Sequence, residues 1–217
     1  MADDNKQGGK HADTDAFVKG AYALDGTEAA KAFYSEWSDA YEDRMVGDLG
    51  YVGPDRISRM LAAHLEDVST PVLDIGCGTG LTSVHLAEQG FRAIDGIDIT
   101  PAMLERAKAR GIYRKLIRAD LNEPLALDDG SYGAAVSSGT FTCGHVGPEP
   151  LPEIMRVLRS GGLMAITIHK DLWEARGFKA MLDRFENDAA IALIEHLLDE
   201  VFRGEGPAVH YLVYRKA

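Results

Sequence analysis

The sequence predicts an α/β protein, a doubly wound and mostly parallel sheet with helices on both faces. Three observations predict it. From Pro71 onward, strand-like runs (71–75, 92–98, 114–119, 132–137 and 163–168) are interleaved with helical ones (80–89, 101–110 and 149–159). The first run, Val72-Leu73-Asp74-Ile75, is apolar at all but one position, as a parallel strand covered on both faces requires. It leads straight into Gly76-Cys77-Gly78-Thr79-Gly80, and Leu81 to Gln89 then reads as a helix. Glycines let the backbone turn tightly there and let a ligand approach without a Cβ in the way. Open α/β sheets bind their ligands at that point, beyond the carboxyl end of the first strand.

The flanking elements follow from periodicity and punctuation. Ala32, Phe33, Trp37, Ala40 and Tyr41 recur at helical spacing within Glu28 to Asp43, and Gly53-Pro54 opens a second helix to about Glu66. Thr100-Pro101 starts the helix after the second strand, with Thr100 able to cap it. Gly161-Gly162 introduces the strand at Leu163. Trp173 to Glu186 reads as a helix, and Val209 to Tyr214 as a last strand, antiparallel and at or near an edge. Between them, Ala190, Ile191, Ile194, Leu197, Leu198 and Val201 have helical spacing, whereas the fold calls for a sixth strand. The strand ranks slightly ahead. Residues 1–15 are polar, lack the apolar stretch of a signal peptide, and read as a disordered tail. Residues 16–66 are expected to form an N-terminal helical lid, and 67–217 the α/β domain.

Composition narrows the function. A chain of 217 residues holds one α/β domain and not two. Its net charge of −11 argues against a nucleic-acid partner, since phosphates demand a positive surface. The basic run from Arg106 to Arg118 is expected to be a solvated helix face and strand flank. The two cysteines, Cys77 and Cys143, have no metal-ligand spacing and point to a reducing compartment without a zinc site. No run of about 20 apolar residues spans a membrane. A cytoplasmic protein is expected.

The spacing of acids identifies a ligand. The glycines are not G-x-G-x-x-G, because the third arrives at Gly80. Asp98 ends the second strand 22 residues after Gly76, where a carboxylate can accept from both hydroxyls of a ribose. Asp95 is the rival, but it lies earlier in the strand and precedes Gly96, so Asp98 is favoured. An N-capping role for Asp98 is the competing reading, which Thr100 would relieve. Asp120-Leu121 follows the third strand, and with Asn122 and Pro124 behind it Asp120 also suits an ordinary turn.

Asp74-x-Gly76-x-Gly78-x-Gly80 resembles motif I of the class I S-adenosylmethionine-dependent methyltransferases. Phe33-Tyr34-Ser35-Glu36-Trp37-Ser38-Asp39-Ala40-Tyr41-Glu42, Gly50-Tyr51-Val52-Gly53-Pro54 and Ala109-Arg110-Gly111-Ile112-Tyr113 are similar to segments of the Williams–Beuren syndrome methyltransferase-like group and its bacterial relatives. The resemblance runs from about Phe33 to Asp183. It implies a Rossmann-like sheet of seven strands, the last antiparallel, and S-adenosylmethionine as methyl donor with S-adenosylhomocysteine as product. It also implies donor contacts from Tyr34, Tyr41, Asp74, Gly76, Cys77, Gly78, Asp98, Ile99, Met103, Asp120, Leu121 and Ser137. Of these, Asp74 would act indirectly on the donor amine and Ser137 through its carbonyl. Tyr34 and Tyr41 lie seven residues apart and can point one way from the lid helix. Trp37 suits packing and ligand contact equally.

Ser137 to Val146 sits where acceptor pockets form in this fold. His145 is the first candidate for a general base, because its ordinary pKa lies near neutrality, and His169 is second. Cys143 lacks a visible partner. The expected acceptor is a small molecule. Competing readings are a module that binds S-adenosylmethionine without turnover, and a nicotinamide dehydrogenase. The latter needs a later third glycine, where this chain has Leu81-Thr82.

Overall fold

The computed structural model describes residues 20–21, 23–24, 26–37, 42–204 and 206–217. The tail expected over 1–15 and Tyr41 lie outside them. Seven strands form one sheet: β1 (Val72–Ile75), β2 (Ile94–Asp98), β3 (Tyr113–Arg118), β4 (Tyr132–Phe141), β5 (Leu158–His169), β6 (Ile191–Glu200) and β7 (Ala208–Lys216), in the order β3-β2-β1-β4-β5-β7-β6. β7 alone runs against its neighbours, pairing antiparallel with both β5 and β6. The helices are α1 (Thr27–Trp37), α2 (Gly53–His64), α3 (Leu81–Glu88), α4 (Pro101–Ala109), α5 (Leu151–Val157), α6 (Lys170–Ala175) and α7 (Phe178–Asn187), with a π-helical turn at Asp43–Asp48.

Alternation along β1 divides the core between the two faces. Leu73 and Ile75 join Ile97, Ile166, Phe178 and Leu212 on one side. Val72 joins Ile57, Leu61, Leu86 and Val136 on the other, under α2 and α3. Asp74 falls on that second face, fully buried.

Several elements differ from the sequence reading. β4 runs on to Phe141, with an irregular register over Ser137–Phe141 where Gly139 has φ +80°. β5 begins at Leu158, before Gly161-Gly162, and its pairing with β4 shifts between Tyr132 and Ala134. The helix expected from Trp173 to Glu186 is broken into α6 and α7 by Gly177, at φ +83°. Thr100 makes no side-chain cap at α4.

Residues 191–200 form a strand. β6 occupies an edge, pairs only with β7, and leaves Leu193, Ile194, Leu197 and Leu198 between 36% and 54% exposed. Its apolar residues therefore do not alternate between core and solvent. Arg114 of the basic run is drawn to Asp95, and Arg110 to Glu42 and to the Thr79 carbonyl. No helix among the described residues is long and apolar enough to cross a membrane.

Candidate active site

The glycine turn after β1 is left-handed at three places: Gly76 (φ +64°), Gly78 (φ +53°) and Gly80 (φ +92°), the last leading into α3. Only glycine takes this conformation without steric cost. A Cβ on Gly76 would also collide with Thr140 Oγ1 on β4. Thr140 is held there, donating to the Ile75 carbonyl at 3.0 Å and accepting from Ser137 Oγ at 2.9 Å.

A cleft opens over this turn. Gly76 and Gly78 form its floor. Asp98, Ile99, Thr100 and Met103 bring the end of β2 and the start of α4 to one side. Ala119, Asp120, Leu121 and Asn122 continue that wall beyond β3. Ser138, Gly139, Thr140, Gly144, His145 and Val146 form the opposite wall, and Gly26, Ala30 and Tyr34 reach it from the N-terminal segment. Tyr34, Gly76, Gly78, Asp98, Ile99, Met103, Asp120, Leu121 and His145 thus share one cavity.

Asp98 is oriented by backbone donors. Its Oδ2 accepts from Gly78 N–H at 2.9 Å and its Oδ1 from Thr100 N–H at 2.8 Å. Burial raises its pKa, and these bonds oppose the rise. Asp98 thus bonds the turn ahead of α4 and not the first N–H groups of the helix, and each oxygen keeps acceptor capacity. Asp95 is committed elsewhere. It is 2% exposed, takes both Arg114 nitrogens at 2.9–3.0 Å and accepts from Tyr132 Oη at 2.9 Å. Asp120 accepts from the Asn122 N–H and Nδ2 through Oδ1, so it shapes a turn and lines the cavity at once.

Asp74, Cys77 and Ser137 are not among the residues lining the cleft. Asp74 lies beneath the turn, its Oδ2 accepting from Ser83 Oγ at 2.6 Å and Tyr113 Oη at 2.8 Å. Burial pushes its pKa up to about 6 against those two bonds. The Cys77 side chain is buried, which drives its thiol pKa well up, and its N–H donates to the Ile97 carbonyl. Ser137 Oγ, whose proton goes to Thr140 Oγ1, lies 2.8 Å from the Ile75 carbonyl, inside the sheet. Trp37 also lies off the cleft, packed on Phe33 with the Arg44 guanidinium over its ring.

His145 and Tyr34 are a coupled pair. His145 Nδ1 lies 2.7 Å from the Cys143 carbonyl, which can only accept, so Nδ1 carries the proton. Nε2 then accepts from Tyr34 Oη at 2.6 Å. Burial lowers the His145 pKa, so the ring is a neutral base at physiological pH. Both residues also line a second, smaller, adjoining cavity. His169 lies on that cavity, with Cys143 Sγ 3.8 Å from its Nδ1. The thiol therefore does have a histidine beside it, although burial raises its pKa.

Sequence reasoning missed Thr140, which the register irregularity of β4 carries against Gly76, and Tyr113, which reaches Asp74 across the sheet. Ala30 was findable, because it precedes Tyr34 by one helical turn.

Fold and glycine turn together define a class I S-adenosylmethionine-dependent methyltransferase. The family described as "Methyltransferase domain" matches residues 73–166. Methyltransferase-like protein 27 of Homo sapiens is 32% identical over 187 residues, covering 83% of this chain and 76% of the human protein. The chain belongs to this methyltransferase-like family, in line with the Williams–Beuren-region resemblance. The 18S rRNA (guanine-N(7))-methyltransferase of Bos taurus is 40% identical over 72 residues, 33% of this chain but only 25% of that protein. A crystal structure of an S-adenosylmethionine dependent methyltransferase from Mesorhizobium loti shares the fold, with a TM-score of 0.56 at 18% identity over 73% of this chain and 96% of that one.

S-adenosylmethionine is the donor that membership implies, and the cleft fits it. Its floor is glycine where a side chain would obstruct, and a carboxylate stands on its rim.

Proposed function

We propose that the larger cleft holds S-adenosylmethionine and that the acceptor is a small molecule. The observation that carries this reading is one cavity bounded by both the left-handed glycine turn and Asp98. Asp98 accepts from the ribose hydroxyls with the lone pairs its backbone donors leave open. Asp120 accepts from the adenine amino group, and Ile99, Met103 and Leu121 flank the ring. The backbone of Gly76, Cys77 and Gly78 runs beneath the methionine moiety. Asp74 acts from below by tying β1 to Ser83 and Tyr113, and the Ser137 carbonyl faces the amine. Tyr41 joins Tyr34 in covering the donor.

S-adenosylmethionine supplies a methyl group already activated on a sulfonium, so this chain's task is to position, exclude water and receive a proton. Residues 16–66 act as the lid and 67–217 as the catalytic domain. Tyr34 delivers the acceptor's proton to Nε2 of His145, a general base kept neutral by burial. A small acceptor is favoured over RNA by the net charge of −11 and by the cover from Gly26, Ala30 and Tyr34.

Isothermal titration with S-adenosylmethionine and S-adenosylhomocysteine tests the donor site, with micromolar binding of both expected. Absence of binding by either overturns it. Incubation of cell extract with methyl-labelled donor tests the acceptor. Label in the low-molecular-weight fraction is expected, and label confined to RNA or protein refutes a small acceptor.

A further inference from the structure

The second cavity has a chemistry of its own. Its apolar surface comes from Met45, Phe141, Val201, Phe202 and Val209. Tyr51 packs on Phe202 with ring centroids 5.6 Å apart and reaches Ser138 Oγ, on the donor cleft, at 3.0 Å. Among its described lining residues there is no carboxylate, ammonium or guanidinium. Its two histidines are pushed toward the neutral form, chiefly by burial. The Asp171 carboxylate stands 3.8 Å from His169 Nδ1 but outside the lining, so a charged ligand would lose its hydration there without a counter-ion in contact, which is costly. An apolar ring would gain roughly 25 cal/mol for each Å² of surface removed from water.

Resting on the donor reading above, we propose that this second cavity is the acceptor subsite. It takes a small uncharged compound with a ring-sized apolar body and a hydroxyl as its methyl-accepting group. The hydroxyl lies at the wall the cavities share, against Tyr34 and His145. There the acceptor oxygen bonds to the methyl carbon as the carbon–sulfur bond breaks, and the electron pair stays on sulfur. The hydroxyl proton passes to Tyr34 as Tyr34 gives its own to His145 Nε2, and the imidazolium later loses it to water. Thr142, Thr167 and His169 are the polar groups left to orient substituents on the ring.

The test uses three probes with one ring and one hydroxyl: 4-ethylphenol, tyramine and 4-hydroxyphenylacetate. Each is titrated by NMR into the protein saturated with S-adenosylhomocysteine. We expect 4-ethylphenol to bind at least about tenfold more tightly than either charged probe. Thr142→Trp and Met45→Trp fill the cavity from its half-exposed rim at residues off the donor cleft. Each should weaken 4-ethylphenol at least about tenfold and leave S-adenosylhomocysteine binding within about twofold, which also shows that the variant is folded. Equal binding of the three probes, no binding of 4-ethylphenol, or indifference of 4-ethylphenol to both fillers overturns the proposal. Failure of the wild type to bind S-adenosylhomocysteine overturns the donor reading instead.

Discussion

Replacing Gly76 by alanine separates backbone strain from steric conflict, with Gly78 as the internal control. Both residues are left-handed, at φ +64° and +53°. A Cβ there costs roughly 1–2 kcal/mol from backbone sterics alone. A Cβ on Gly78 meets nothing within 4 Å, so about 1–2 kcal/mol is the whole expected loss for Gly78→Ala. A Cβ on Gly76 lies 3.0 Å from Thr140 Cγ2 and 3.1 Å from its Cβ, and nearer still to Oγ1. Relieving that overlap adds roughly 1–3 kcal/mol, because Thr140 is pinned by Ser137 and the Ile75 carbonyl. Gly76→Ala should therefore cost about 2–5 kcal/mol in urea unfolding. Thr140→Ala removes Oγ1 and Cγ2 and should recover at least about 1 kcal/mol in the Gly76→Ala background. Equal losses at the two glycines, or an additive double variant, would refute the steric reasoning.

Asp74→Asn should stabilise the protein at neutral pH. The folded carboxyl, raised by burial to about 6 from 3.8, favours the protonated native state, so wild-type stability falls as pH rises from about 4 to about 6. The difference amounts to about 3 kcal/mol, and an amide oxygen can still accept from Ser83 and Tyr113. Denaturation at pH 4 and 7.5 should show the variant's advantage only at the higher pH. Asp95→Ala and Asp98→Ala should split stability from binding. The first strands Tyr132 and loses the Arg114 pair, costing about 2–3 kcal/mol, and the second mainly abolishes donor affinity in titration. A disulfide thiol reagent should modify Cys143 in the native protein and Cys77 only after unfolding, since Cys77 is buried with the more strongly raised thiol pKa. Two rapid equivalents in the native state would contradict the structure.

Much of the larger cleft was legible because its parts lie close in sequence. Between Val72 and Leu121, strand periodicity sets the ends of β1, β2 and β3, and Gly76, Gly78, Asp98 and Asp120 fall at those ends by spacing alone. Asp74 was visible as an acid in an apolar strand, but not its face. In a strand one position decides between cleft and core, and it points to Ser83. The extension of β4 was invisible because Ser-Ser-Gly-Thr reads as loop, whereas pairing with β5 holds it in the sheet. β6 was read as a strand only from the fold and not from its periodicity, because an edge strand can leave its leucines in solvent, so neither burial face imprinted a two-residue period. The Tyr34–His145 bond spans 111 positions, and no local pattern encodes it.

The division of the two cavities along the chain has an evolutionary consequence. The floor and one wall of the larger cleft, proposed to hold the donor, come from a single stretch of about fifty residues that must stay together to keep its backbone geometry. The second cavity is assembled from short, scattered stations: Ala21, Tyr34, Met45, Tyr51, the segment after β4, the end of β5 and the β6–β7 hairpin. Apart from Tyr34, Gly139 and His145, which line both cavities, substitutions at these stations reshape that chamber while the glycine turn goes untouched. Lineages descended from such a scaffold are free to diversify what they modify without reinventing how they carry the group they transfer.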